Sequence, residues 1–312
     1  MNTSAGIKRR RPFPTYIVVL LAPAVIVYTL FMIYPLIDSL RLSFFTQNEA
    51  GKEIFNGLDN YSRLLTDERW SPRLWGAIKN NMLFFLIHMF VQNPIGLLLA
   101  TLLSSRIVRG KVVFRTLIFM PTILSFVLVG FIWRLILNPQ FGIIDDVLAL
   151  FGIKNQPWLG LPGTALPTLS LISVWQFVGI PMMLFLAALI SIPDELLEAA
   201  RVDGANAWHV FWRIKFRLIL PTVGIVGILT FVGNFNAFDL VYAVESELAT
   251  PDFSTDLMGT FFYRTFFGVQ LQPGNPTMGA TIAGVMFIII LTGVLIYLFT
   301  WQRRLLKLEI EL

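Results

Sequence analysis

Six stretches of the chain are almost free of charge, and they alternate with shorter segments in which Lys, Arg, Asp and Glu collect. A helix that crosses a bilayer needs about 20 mostly apolar residues to cover roughly 30 Å of hydrocarbon. Residues 15–37, 116–133, 166–190, 218–238 and 277–302 carry no charged side chain, and 80–105 carries only His88. With their flanks the predicted spans run over about 15–44, 80–105, 112–137, 166–190, 218–243 and 277–302. The pattern therefore predicts an all-α, polytopic membrane protein: a tail at 1–14, then one transmembrane domain over 15–312. The first run follows Lys8-Arg9-Arg10-Arg11, as the apolar core of a signal peptide would. It is too long for one and has no clear small-x-small cleavage site, so it reads as a retained span.

Composition agrees with the pattern. Of 312 residues 56% are apolar and 14% charged, and mean hydropathy is +0.72. A soluble domain carries roughly 25% charged residues. The pI of 9.6 reflects short basic clusters beside apolar runs, which orient membrane proteins and do not indicate nucleic acid. With the N-terminus inside, the cytoplasmic segments hold Lys8–Arg11, Arg106, Arg109, Lys111, Arg115, Arg201, Arg213, Lys215, Arg217, Arg303, Arg304 and Lys307. Asp145, Asp146, Glu245, Glu247, Asp252 and Asp256 fall outside. Both termini are then cytoplasmic, and 191–217 is a cytoplasmic loop. Loops near 46–78, 138–165 and 245–276 lie on the far side, with no separate soluble domain and no evident internal repeat. Cysteine is absent, which removes disulfides, thiolate metal sites and cysteine nucleophiles.

The cytoplasmic loop holds the longest charged helical pattern in the chain, ELLEAARVDGANAWHVFWRIKFRLILPT over 195–222. Ser191 and Asp194 have capping-box spacing with a proline between them, so a helix is predicted to start near Ser191. Leu196, Ala199, Ala200 and Asp203 share one face, while Asp194, Glu198 and Arg201 point elsewhere. Gly204 can take the left-handed conformation that ends a helix. A second helix then begins with Trp208, Phe211 and Trp212 and runs toward Pro221. A small-residue face beside an exposed carboxylate suits insertion into a groove on a partner. The same helix could also lie flat on lipid headgroups, although its acids oppose an anionic surface.

EAARVDGA, followed by Phe211, Ile214 and Pro221, resembles the EAA motif of the membrane subunits of ATP-driven ABC importers. FVGNFNAFDLVYA (231–243) and PTMGATIAG (276–284) resemble the carbohydrate-uptake branch, in particular its first permease subunit. The resemblance covers nearly the whole chain. It departs at Phe216-Arg217, where members often carry Leu-Pro, so the bend into the fifth span is expected to be placed differently. The resemblance implies a type I importer fold in the inner membrane. It implies that Glu198 meets a basic residue of an ATPase subunit, with Ala199, Ala200 and Asp203 as packing surface and Gly204 shaping the turn. It also implies four partners besides lipid: a second homologous permease, two ATPase subunits and an extracytoplasmic solute-binding protein. ATP and Mg would be bound by the ATPase subunits, so no cofactor is expected in this chain.

The residues themselves support that division of labour. No G-x-x-x-x-G-K-[ST] loop occurs, no metal-ligand spacing is evident, and the histidines are His88 and His209. A solute path should show as polar groups within spans, where lipid exposure is costly. Thr230 and Asn234 share one face at i+4, Asn236 and Asp239 another at i+3, and Phe231, Phe235, Phe238 and Tyr242 form an aromatic stripe. Amides and aromatic rings suit the hydroxyls and C–H faces of a sugar, though the same groups also serve as helix–helix contacts. Gln176 and Trp175 lie beside Gly179 and Pro181, which should kink the fourth span. His88 and Gln92 share a face before Asn93-Pro94, with no assigned role. The expected function is thus the permease half-pathway of an ATP-driven importer of a sugar or sugar-like solute. The alternative is an ion-driven carrier acting alone.

Overall fold

The computed structural model describes residues 15–303 apart from 49–50, 106, 151, 153–155 and 270–271. Lys8–Arg11, Arg106, Arg304 and Lys307 lie outside the described residues, as do the side chains of Asp145 and Asp146. In chain order the elements are α1 (Tyr16–Leu42), β1 (Phe45–Gln47), β2 (Glu53–Phe55), α2 (Asp59–Thr66), α3 (Ser71–Ser104), α4 (Lys111–Ile123), α5 (Phe126–Ile136), α6 (Ile143–Ala149), α7 (Pro162–Phe177), α8 (Gly179–Ile190) and α9 (Asp194–Val202). They continue with α10 (Ala207–Leu218), α11 (Leu220–Phe235), α12 (Asp239–Glu245), α13 (Met258–Phe267), β3 (Gly268–Val269), β4 (Gln272–Pro273) and α14 (Pro276–Gln302). The strands form two small antiparallel hairpins, a minor addition to an otherwise helical chain.

Among the described residues three helices are single apolar rods long enough to cross a membrane, and three bent pairs bring the number to six where each pair counts as one span. The rods are α1, α3 and α14; the pairs are α4–α5, α7–α8 and α10–α11, bent by 99°, 44° and 65°. Each bend has a local cause. Pro121 opens a tight final turn in α4, and Ser125 then restarts the chain as an N-cap, its Oγ accepting from Leu128 N–H at 3.3 Å. Pro181 lacks the N–H that would bond the carbonyl of Phe177 across the α7–α8 joint. Pro221 sits in the first turn of α11, so the elbow into the fifth span falls at Ile219, after the Phe216-Arg217 departure. The fifth span stops earlier than its apolar run suggests. α11 ends at Phe235, and α12 starts a new helix after Asn236–Phe238.

Buried apolar side chains form three clusters. One ties α9 to the bundle: Leu197 belongs to a cluster that also holds Phe185, Leu186 and Leu189 of α8, Ala100 and Leu103 of α3, and Val226 of α11. α3 and α8 approach closely because Gly96 has no side chain; a Cβ there would lie 3.0 Å from the backbone nitrogen of Met182. A second cluster joins Phe84, Val129, Leu169 and Leu240, and a third joins Leu74, Phe261 and Met278. Amides pin the helices where apolar contact alone gives no register. Asn81 donates to the Asn234 carbonyl at 2.8 Å and accepts from Met258 N–H at 2.6 Å, joining α3, α11 and α13. No residue in the apolar window of α1 is buried, so that stretch faces its surroundings, while the end of the helix packs on α14.

Candidate functional site

The helix carrying the EAA-like residues forms, but its start differs from expectation. Ser191 is the C-cap of α8, and its hydroxyl donates back to the Ala188 carbonyl at 2.8 Å. Its backbone is still helical there and it lies two residues ahead of the Pro193 N-cap, so α9 opens after Pro193 with Asp194 and Glu195 in its first turn. The faces of α9 also divide differently from the predicted set. Leu197 is buried and Ala200 packs against the first cluster, whereas Leu196, Glu198, Ala199 and Asp203 are exposed. Gly204 takes φ +81°, and the chain turns there into Asn206, whose Oδ1 caps α10 by accepting from His209 N–H at 2.9 Å. Trp208, Phe211, Trp212 and Phe216 then make successive ring contacts at 5.0–6.4 Å along α10. The arrangement is a short helix anchored on one side by a leucine, with a carboxylate and small residues on its free side.

Toward the middle of the bundle lies a cavity of about 430 Å³, inside the roughly 300–1,000 Å³ range of small-molecule sites. Thr230, Asn234, Asn236, Phe238 and Asp239 line it, bringing together five of the residues singled out in the sequence. They do so on either side of the break after Phe235, so Asn236 and Asp239 are not i, i+3 neighbours on one helix. Trp175 and Gln176 are not among the lining residues. Trp175 is 41% exposed and stacks edge-on against Trp133 at 5.5 Å. Gln176 is fully buried and donates from Nε2 to the Leu124 carbonyl at 3.2 Å, bracing the bend between α4 and α5.

Phe84, His88, Gln92, Ser173 and Phe177 complete much of the wall. Their placement depends on a wide turn at His88–Gln92 in α3, where Asn93 N–H reaches the His88 carbonyl five residues back. Pro94 follows and cannot donate to Phe90, which favours such an opened turn. His88 Nδ1–H donates to the Phe84 carbonyl at 2.8 Å, and the Ser173 hydroxyl donates to Nε2 at 2.9 Å. Both nitrogens of the ring are thereby engaged. Thr230 donates to the Val226 carbonyl at 2.8 Å and accepts from Asn93 Nδ2 at 3.0 Å. Asn234 spends Nδ2 on the Thr230 carbonyl at 2.6 Å. Among the described residues, Asn234 Oδ1 and Gln92 Oε1 are buried and accept from no donor. Two residues of the cavity's aromatic-rich wall, Asn234 and Gln92, therefore keep a buried amide oxygen without a partner. One carboxylate, Asp239, and no Lys or Arg face it.

These features match one family throughout. Residues 92–308 match the family described as binding-protein-dependent transport system inner membrane component, and the chain belongs to that family. It is a membrane-spanning permease subunit of an ABC importer, and the reading as a lone ion-driven carrier falls away. The chain is 32% identical over 276 residues to the alpha-glucoside transport system permease protein AglF of Rhizobium meliloti (strain 1021), covering 86% of this chain and 77% of that one. It is 29% identical over 285 residues to the lactose transport system permease protein LacF of Rhizobium radiobacter, covering 91% and 92%. Its fold overlays, with TM-score 0.75 and 25% identity, on a chain of a crystal structure of a bacterial ABC transporter that imports the acidic polysaccharide alginate, covering 93% and 96%.

Proposed function

We propose that this permease carries a neutral saccharide through the 430 Å³ cavity, in an importer powered by separate ATPase subunits. The observation that carries the substrate class is a wall of amides and aromatic rings in which Asn234 and Gln92 keep buried, unpartnered oxygens that a turn of the side chain would present to a solute. A hydroxyl-bearing solute can donate to them while its C–H faces rest on Phe84, Phe177 and Phe238. An aromatic wall with one carboxylate and no cationic side chain fits an uncharged solute better than an acidic one. Relatives whose names specify alpha-glucosides and lactose support the saccharide class.

In this reading the basic segments face the cytoplasm, and α9 seats in a cleft of an ATPase subunit. Glu198 meets a basic residue there, Leu196 and Ala199 fill the contact, and Gly204 sets the turn behind it. A second, homologous permease completes the pathway, and a solute-binding protein delivers the saccharide from the other side. Nucleotide and Mg belong to the ATPase subunits. The reading is tested by reconstituting the chain with its companion permease, ATPase subunits and receptor, and measuring uptake of the saccharide retained by the purified receptor. Uptake should require ATP and every component; uptake by this polypeptide alone would refute the proposal.

A further inference from the structure

A second cavity, of about 450 Å³, lies at the end of the bundle opposite α9. Its chemistry is unlike that of the first. Arg69, Arg73 and Arg264 all line it, together with Trp70, Thr265 and Asn275, and among the described residues no acidic side chain does. The guanidiniums of Arg73 and Arg264 lie over the same Phe253 ring, at 5.2 and 4.7 Å from its centroid. Arg69 lies over the Trp70 ring at 5.3 Å. Arg264 is neutralised from behind by Asp256, with Nη2–Oδ2 at 2.5 Å and both side chains buried. Among the described residues neither Arg69 nor Arg73 has a carboxylate within ion-pair distance. Asp67 is close in sequence, but its Oδ1 caps the Arg69 backbone N–H at 2.8 Å. Two long helices, α3 and α14, also begin at this rim with Ser71 and Pro276, adding the positive ends of their dipoles. Like charges gathered in a recess are unfavourable unless an anion joins them, and planar guanidiniums favour a carboxylate.

We propose that this arginine cavity is a docking socket for a carboxylate side chain of the extracytoplasmic solute-binding protein. The inference rests on the permease reading above. The first cavity and this one share no lining residue, so the arginines do not stand along the wall of the proposed solute path. The socket is instead assembled from the β1–β2 hairpin, the start of α3, the end of α13 and the start of α14. A carboxylate bound to Arg73 and Arg264 would bridge α3 to α13. α3 also carries His88 and Gln92, so receptor docking would bear on the helix that lines the solute cavity.

The test uses the assembled transporter in lipid nanodiscs and its own receptor, loaded with saccharide. The readout is ATP hydrolysis as a function of receptor concentration. The double variant Arg69→Glu/Arg73→Glu should raise the receptor concentration for half-maximal stimulation about 10-fold or more, with the maximal rate retained. The gap should shrink in about 0.5 M salt, where the Debye length is a few Å. Arg73→Lys, which keeps the charge but not the planar fork, should shift the half-maximal concentration by less than the double variant, and thermal unfolding of each assembly should match wild type. An unchanged half-maximal concentration would overturn the socket. So would a defect confined to uptake of a uronate-bearing saccharide at saturating receptor, because the cavity would then serve free solute. Glu49 lies outside the described residues; a Glu49→Gln variant that reproduced the loss would assign the arginines to this chain and also overturn the proposal. If the wild-type complex showed no receptor stimulation, the permease reading would fail first.

Discussion

Glu245 shows how one buried carboxyl can make stability depend on pH. Its Oε2 accepts from the Thr250 hydroxyl at 2.6 Å, while Oε1 is buried without a partner among the described residues. Burial is the leading cause that pushes its pKa up from 4.5, against the opposing hydrogen bond from Thr250 and the charge of Arg134. The folded state therefore holds the proton more tightly than the unfolded chain. Its contribution to stability is fully present below the ordinary glutamate value and is lost as pH rises through the raised value. Glu245→Gln keeps an acceptor for Thr250 and removes the charge. The melting temperature of the variant should match wild type near pH 4 and exceed it increasingly toward pH 8; a constant difference would exclude this origin. Asn234 makes a second case at this scale, because Nδ2 donates to the Thr230 carbonyl while Oδ1, buried in a residue of the cavity wall, has no partner among the described residues. Asn234→Leu preserves size and helix but removes that acceptor. One hydrogen bond is worth about 1 kcal/mol, so apparent affinity for saccharide in uptake assays should fall about 5-fold. A neutral outcome would place the solute elsewhere.

At the scale of elements, α9 is a lever whose two ends have different chemistry. Glu198→Lys reverses the charge on its exposed face without touching Leu197. Receptor–saccharide binding should survive, and transport-coupled ATP hydrolysis should be lost; normal coupled hydrolysis would count against docking. At Gly204 a Cβ would meet nothing within 4 Å, so the cost of Gly204→Val lies in φ +81° alone, about 1–2 kcal/mol. That substitution should reduce coupling more than it lowers the melting temperature. Most of these elements were legible in the sequence. The six spans follow from the length of uncharged runs, and α9 with its glycine turn follows from apolar spacing and Gly204. The start of α9 differs from the capping-box pattern because Ser191 continues the helical backbone of α8 as its C-cap, and Pro193 takes the N-cap position. The break after Phe235 carries no proline or charge, so hydropathy runs straight through it. His88 and Gln92 were visible as a pair, yet their role depends on a wide turn that periodicity does not reveal. Trp175 and Gln176 show the converse: polar or amphipathic character in a span marks contact with something, and here it is another helix.

Across the whole molecule the first apolar cluster provides a route from α9 to the solute cavity. Leu197 belongs to the same cluster as Phe185, Leu186 and Leu189, and that cluster includes Val226, which lines the cavity. Leu184 also lines the cavity and packs on that cluster. A close-packed seam of this kind transmits displacement because its side chains cannot be compressed without loss of contact. Moving α9 should therefore move α8 and the start of α11, and with them one wall of the cavity. Leu197→Ala tests the seam while leaving Glu198 and Ala199 on the free face. The substitution removes buried methyl groups and should cost about 2–5 kcal/mol locally. The ATPase subunits should still assemble with the variant and still hydrolyse ATP, but with fewer saccharide molecules imported per ATP consumed. Loss of assembly would instead place Leu197 in the ATPase contact. Unchanged stoichiometry, measured by parallel uptake and phosphate release in proteoliposomes, would mean that motion reaches the cavity through α10 and the Ile219 elbow.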